Sequence, residues 1–223
     1  MLILGIDTST SAIGVGLSDG EEVLGAAHRV DPRGHTEHLA PLLAGLLDEV
    51  GVAPRDLTGI VVGNGPGPFT GLRVGMVTGL TLGSALGVPV HGICSLDVLA
   101  TQALAQSADG VAEVLVATDA RRKEVYWGHY RASGGPGPVE RLAGPSVDRP
   151  AELAAALRSL PTAGRGPLLY PDLFGHPIEP LDVDAGLLAL LGARGVAAGA
   201  DLPVEPLYLR RPDALTTAER GAS

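Results

Sequence analysis

Residues 1–30 read MLILGIDTSTSAIGVGLSDGEEVLGAAHRV. Two apolar runs, 1–6 and 12–17, flank the polar turn Asp7-Thr8-Ser9-Thr10, and a second turn at Ser18-Asp19-Gly20 leads into a third run over 22–30. Short apolar runs bounded by turn residues form strands, so the chain opens with a β-meander. The pattern returns at 113–131, EVLVATDARRKEVYWGHYR, as a strand over 113–118, a turn at Asp119-Ala120-Arg121-Arg122 and a strand over 124–131. A strand–Asp–turn–strand unit present twice predicts two α/β lobes related by duplication. They are placed at 1–108 and 109–223, with the small polar stretch 106–110 between them.

Between the two meanders, residues 35–50 carry Leu39, Leu42, Leu43, Leu46, Leu47 and Val50 at helical spacing, and Gly51 is a C-cap candidate. Residues 59–63 read as a buried strand that runs into the loop Gly63-Asn64-Gly65-Pro66-Gly67-Pro68-Phe69-Thr70. A helix follows in which Gly71, Gly75, Gly79, Gly83 and Gly87 form an i+4 ladder, with Thr70 as its expected cap. Each glycine inside a helix costs about 1 kcal/mol against alanine. The ladder therefore predicts a close-packed ridge, expected to meet a partner helix. Residues 74–96 carry no charge apart from a possible one on His91, but Gly87-Val88-Pro89 interrupts them, so they read as a helix and then a strand over 88–93 rather than a membrane span. Ser95 is expected to cap a helix to about 105. Further helices are expected over 150–160 and 184–198, a flexible loop over 133–138, an anchoring segment over 206–210, and fraying in the last ten residues.

The 223 residues are 45% hydrophobic and only 3% aromatic, so the core is aliphatic. A net charge of −9 argues against a free-standing nucleic-acid binder, and Lys123 is the only lysine. One cysteine, Cys94, supports neither a disulfide framework nor a cysteine zinc site. The start MLILGIDTST lacks a basic region ahead of an apolar one and is not a signal peptide. A cytoplasmic location is the simplest expectation.

Four segments could carry chemistry. Asp7, Thr8 and Ser9 could cradle a phosphate, although polar hairpin residues that satisfy the local backbone account for them more simply. The 63–70 loop joins strand to helix, where anions bind, but it lacks the phosphate lysine, and its prolines remove N–H donors. His35 and His38 share a helix face with Glu37 and are candidate metal ligands; the alternative is a polar first turn. The segment from Asp119 to Trp127 suits a substrate or partner contact, or an Asp-led hairpin with its aromatic pair packed inward.

Taken in order, GIDTST, HTEHLAP, GNGPGPFTGLRVG, ATDARRKEVYWG and EPLYLR resemble the TsaB family, the bacterial partner subunits in threonylcarbamoyladenosine modification of tRNA. The resemblance covers most of residues 1–131 and the closing EPLYLR. It implies an actin-like, ribonuclease H-like two-lobed α/β fold with a degenerate second lobe. It also implies a non-catalytic subunit without a cofactor of its own, which dimerises with a TsaD-type catalytic subunit, or with itself. A TsaE-type ATPase would join the pair, and tRNA would be engaged through the complex at adenosine 37. Leu39, Leu42, Leu43 and Leu46 with Gly71, Gly75 and Gly79 would form the interface, some of the leucines facing the core instead. An active ATPase or kinase of the same fold, or a metallopeptidase, are the alternatives.

Overall fold

Strands β1 (Ile3–Asp7), β2 (Ala12–Ser18) and β3 (Val23–Val30) form the antiparallel meander expected of the N-terminus. β4 (Gly59–Gly63) and β5 (Val90–Ile93) add in parallel beyond β1, giving the order β3-β2-β1-β4-β5. β1, β2 and β4 are buried along their whole length, which is why they read as continuous apolar runs rather than alternating ones. The computed structural model describes residues 1–107, 111–133 and 139–210. The expected lobe boundary at 108 and 109, most of the 133–138 loop and the frayed tail lie outside them.

A second sheet repeats the topology. β6 (Glu113–Asp119), β7 (Val125–Arg131) and β8 (Glu140–Asp148) are antiparallel neighbours, and β9 (Pro161–Ala163) and β10 (His176–Pro177) add in parallel beyond β6. In the first unit the crossovers are the 16-residue helix α1 (His35–Val50) and the 18-residue helix α2 (Phe69–Leu86). Their counterparts shrink to a 3-10 turn at Pro150–Glu152 with the short α4 (Ala155–Arg158), and to α5 (Gly166–Leu169). This is a duplicated, actin-like α/β fold whose second half has lost its long outer helices.

The helix expected over 150–160 is broken because Leu153 and Ala154 are extended, with ψ of 141° and 139°. The break turns the buried Leu153 into the cluster around Leu115 and Phe174. β8 was not expected, since Pro145 interrupts its sequence; the strand lies at a sheet edge, where proline removes no needed ladder bond. Thr70 and Ser95 are not caps. α2 begins at Phe69 behind Pro68, and α3 (Ser95–Gln106) begins with Ser95 already inside it. By contrast, Asp184 caps α6 (Ala185–Ala197), its Oδ1 accepting from the N–H groups of Gly186 at 2.8 Å and Leu187 at 3.1 Å.

α1 and α2 cover one face of the first sheet, packing Leu39, Leu46, Leu47, Leu72 and Met76 onto Leu4, Ile6 and Val15. α3 and α6 lie between the two sheets in a core that runs from Ile3 and Val61 through Leu99 and Leu188 to Val116 and Tyr130. α6, from the second half of the chain, sits on β1 and β2 of the first. It comes so close that a methyl on Gly5 or Gly16 would overlap the backbone at Ala185 or Gly186. No helix among the described residues is long and apolar enough to cross a membrane.

Candidate functional site

The β1–β2 turn is sealed inside the protein. Asp7, Thr8 and Ser9 are each 1% exposed. Oδ1 of Asp7 accepts from the N–H and Oγ of Ser9, both at 2.8 Å, and Oδ2 accepts from Oγ of Ser95 at 2.6 Å. Burial pushes the Asp7 carboxyl above its ordinary value, while the Ser95 and Ser9 hydrogen bonds pull the other way. Thr8 Oγ1 donates to the Gly71 carbonyl at 2.7 Å and accepts from the Gly75 N–H at 2.9 Å. The polar atoms that could have cradled a phosphate are thus committed to tying β1 to α2 and α3. Sequence reasoning missed Ser95 in this role. The only signal was its place at the junction that follows β5.

His35 and His38 share a first turn but not a target. His35 is buried, with Nε2 3.3 Å from the Thr10 carbonyl oxygen, whereas Nε2 of His38 is 3.2 Å from Oδ2 of Asp31. The two imidazoles that suggested a metal are therefore engaged separately. Among the described residues no group of three or more His, Cys, Asp or Glu is placed to hold a metal ion.

The glycine ladder faces inward, which corrects the expectation that Gly71, Gly75 and Gly79 meet a partner. A Cβ on Gly71 would lie 2.9 Å from the Thr8 carbonyl oxygen, and one on Gly75 would lie 2.5 Å from Thr8 Oγ1. On Gly79 and Gly83 it would overlap Val62 and Val90. The ridge lets α2 lie flat across β1, β4 and β5; Gly87 ends the helix with a φ of 70°. Of the first-helix leucines, Leu39 and Leu46 are core residues, and Leu42 and Leu43 are half-buried at its margin.

The outward face of α2 exposes three large apolar side chains among Thr70, Arg73, Thr81 and Ser84. Val77 is 58% exposed, Leu80 46% and Phe69 43%. Together with Ala40 and the edge of Leu39 on α1, Val74 and Val77 line an open groove of about 520 Å³. At one end, the Arg73 guanidinium lies 3.6 Å over the Phe69 ring, and its Nε donates to the Tyr208 hydroxyl at 2.9 Å. The Phe69 and Tyr208 rings are 5.0 Å apart. Tyr208 belongs to a strap over 201–210, which contains the EPLYLR motif. The Gly92 N–H donates to the Leu202 carbonyl at 3.0 Å, and the Leu207 N–H to the Asn64 carbonyl at 2.9 Å. Arg210 then pairs with Glu124 and donates to the Ala120 carbonyl on the β6–β7 hairpin.

That hairpin turns through three residues of positive φ, Arg121 at 60°, Arg122 at 54° and Lys123 at 64°, and the Arg121 N–H donates to Oδ1 of Asp119 at 2.7 Å. Tyr126 reaches back to the first lobe and donates to the Gly67 carbonyl at 3.3 Å, while Trp127 Nε1 donates to Asp148 at 2.7 Å. A second tie between the halves joins α3 to β7 and β8. Oδ1 of Asp97 accepts from the Tyr130 hydroxyl at 2.9 Å, and the Arg141 guanidinium grips the same carboxylate at 2.6–3.0 Å. Between the β1–β2 turn and the β6–β7 hairpin a cleft of about 340 Å³ remains.

The family profile described as TsaD, tRNA N6-adenosine threonylcarbamoyltransferase, matches residues 26–166. An uncharacterized protein of Mycobacterium tuberculosis H37Rv is 40% identical over 216 residues, covering 95% of this chain and 93% of its own. The tRNA threonylcarbamoyladenosine biosynthesis protein TsaB of Escherichia coli K12 is 39% identical over 134 residues, 59% of this chain. The chain spans about half of some relatives, 55% of that protein and 56% of one from Mycobacterium leprae. The solved structure of YeaZ from Pseudomonas aeruginosa superposes with a TM-score of 0.77 at 31% identity, covering 93% of this chain and 99% of YeaZ. With most of its length aligned to YeaZ and more than half matched by the TsaD profile, the chain belongs to the TsaB/YeaZ family.

Proposed function

We propose that the chain is a non-catalytic, cytoplasmic partner subunit that dimerises with a TsaD-type catalytic subunit. It supports transfer of a threonylcarbamoyl group to adenosine 37 of ANN-decoding tRNA. The observation that carries the reading is the open apolar groove between α1 and α2. Val77 and Leu80 stand out from α2 beside the exposed Ala40 of α1, and exposed apolar surface of this kind is typical of association sites. The docking face consists of Ala40, Phe69, Val77 and Leu80, with Leu42 and Leu43 at its margin. The glycines act beneath it, setting the height of α2 on its sheet. A TsaE-type ATPase joins the pair, and tRNA is engaged through the complex. The net charge of −9 fits a subunit that leaves most phosphate contacts to its partners. A homodimer through the same face is the resting alternative.

Co-purification with the TsaD-type paralog of the same organism tests this. The wild-type chain is expected to form a stable complex. Ala40→Asp and Val77→Asp should each weaken it by about 3 kcal/mol, the cost of leaving a charge buried and unpaired. Both positions are exposed, so the isolated variants should keep the melting temperature of the parent. Failure of the wild-type chain to pair would overturn the partner role. Undisturbed pairing by both variants would overturn the assigned face.

A further inference from the structure

The end of the α1–α2 groove at which Tyr208 stands holds a charge that nothing in the described chain answers. Arg73 is the only charged side chain among the residues that line the groove. It is exposed, and among the described residues no carboxylate lies within ion-pair distance of it. It is nevertheless held in place. Its guanidinium lies 3.6 Å from the centre of the Phe69 ring and 5.7 Å from that of Tyr208, while its Nε donates to the Tyr208 hydroxyl. Tyr208 is fixed in turn, because the strap is fastened just before it by the Leu207 N–H and just after it by Arg210. A residue from the end of the described chain thus orders one arginine at the edge of a groove built from α1 and α2.

We propose that the partner seated in the groove presents a carboxylate that Arg73 receives, with Tyr208 as the residue that positions the arginine. This rests on the partner-subunit reading and names the chemistry of its contact. An apolar surface that covers the groove also covers its arginine, and a guanidinium sealed from water without an acceptor is strongly unfavourable. The fitting partner therefore carries an aspartate or glutamate at that end, beyond the apolar side chains that meet Ala40, Val74 and Val77. An arginine already stacked and hydrogen-bonded loses little freedom on pairing, and its planar fork can donate to both carboxylate oxygens at once. A surface with a neutral or basic residue there is disfavoured. The charged end thus sets register and selects the partner, while the apolar remainder supplies contact area.

Calorimetric titration of the full-length chain with the TsaD-type paralog, repeated across a NaCl series, tests the proposal. Arg73→Gln should weaken pairing about tenfold or more, the usual loss of a hydrogen bond between charged groups. Its gap to the wild type should narrow between about 50 and about 500 mM NaCl, as the Debye length shortens. Arg73→Lys keeps the charge without the fork or the stack and should stay severalfold weak. Tyr208→Phe should weaken the wild type severalfold but add nothing to Arg73→Gln, since it acts through that arginine. Both side chains are exposed, so the isolated variants should keep the melting temperature of the parent. If the wild-type chain does not pair at all, the partner-subunit reading falls and the carboxylate contact with it. If the wild type pairs and Arg73→Gln pairs as tightly, the carboxylate contact alone falls. It falls equally if Arg73→Gln disrupts only self-association, which would assign the arginine to a second copy of this chain.

Discussion

Thr8 Oγ1 stands between the Gly71 carbonyl and the Gly75 N–H, two groups one helical step apart. A turn residue of β1 thereby enters the hydrogen-bond ladder of α2. Gly75 has no side chain because the hydroxyl occupies its space. Gly75→Ala should destabilise the fold by about 1–3 kcal/mol through overpacking. Thr8→Val should cost about 1–3 kcal/mol by leaving helix groups unpaired. The two losses should not add in the double variant, since both remove one contact. Urea unfolding of the three proteins measures this; full additivity would show that the contact contributes nothing.

The Asp7 carboxyl bears on pH dependence. Burial raises its pKa in the folded state above the unfolded value of 3.8. At pH below 3.8 both states are protonated and the group has no effect. As pH rises beyond that, the unfolded chain ionises first, so this group lowers stability progressively until its folded pKa is passed. Asp7→Asn removes that slope. The stability of the variant relative to the parent should therefore increase with pH from 3.8 upward, read from denaturant midpoints across the acid range. A difference that shrinks with rising pH would contradict the raised pKa.

The Asp97 carboxylate holds Tyr130 and Arg141 together and so fastens α3 to the second sheet. Tyr130→Phe should cost about 1 kcal/mol, the net worth of one hydrogen bond. Asp97→Ala should cost more, about 2–3 kcal/mol, because the Tyr130 hydroxyl and a half-buried guanidinium lose their acceptor together. Hydrogen exchange should show faster opening of β7 and α3 in Asp97→Ala, with the α1–α2 face unaffected.

Cys94 is buried, and burial together with the Asp97 charge pushes its thiol up to about 12. Since the thiolate is the reactive form, the native chain should resist a thiol-specific reagent at neutral pH and react fully only when unfolded. Rapid labelling of the folded chain would show that the β5–α3 junction opens readily.

Much of this fold was legible from periodicity. The repeated strand–Asp–turn unit marked both meanders, and the leucine stripe marked α1 with its end at Val50. The glycine ladder was legible as a close-packed ridge but not as to what it approaches, because a stripe of small residues looks alike toward a foreign helix or the chain's own sheet. Only the position of Thr8 and Val62 beneath it decides. Likewise, Tyr208 and Arg73 are far apart in sequence, so no local pattern could pair them. Pro145 hid β8, since its tolerance there depends on which edge of the sheet is free.

The seat of α6 on β1 and β2 has a consequence for synthesis. The glycine-smoothed face around Gly5 and Gly16 stays bare while some 180 further residues are added, since the helix that covers it ends at Ala197. At about 5–20 residues per second this leaves an interval of about ten to thirty seconds for each nascent chain. A nascent chain that stalled before this helix would expose a flat apolar sheet surface to the crowded cell, so β1 and β2 depend on a helix far downstream of them to be covered.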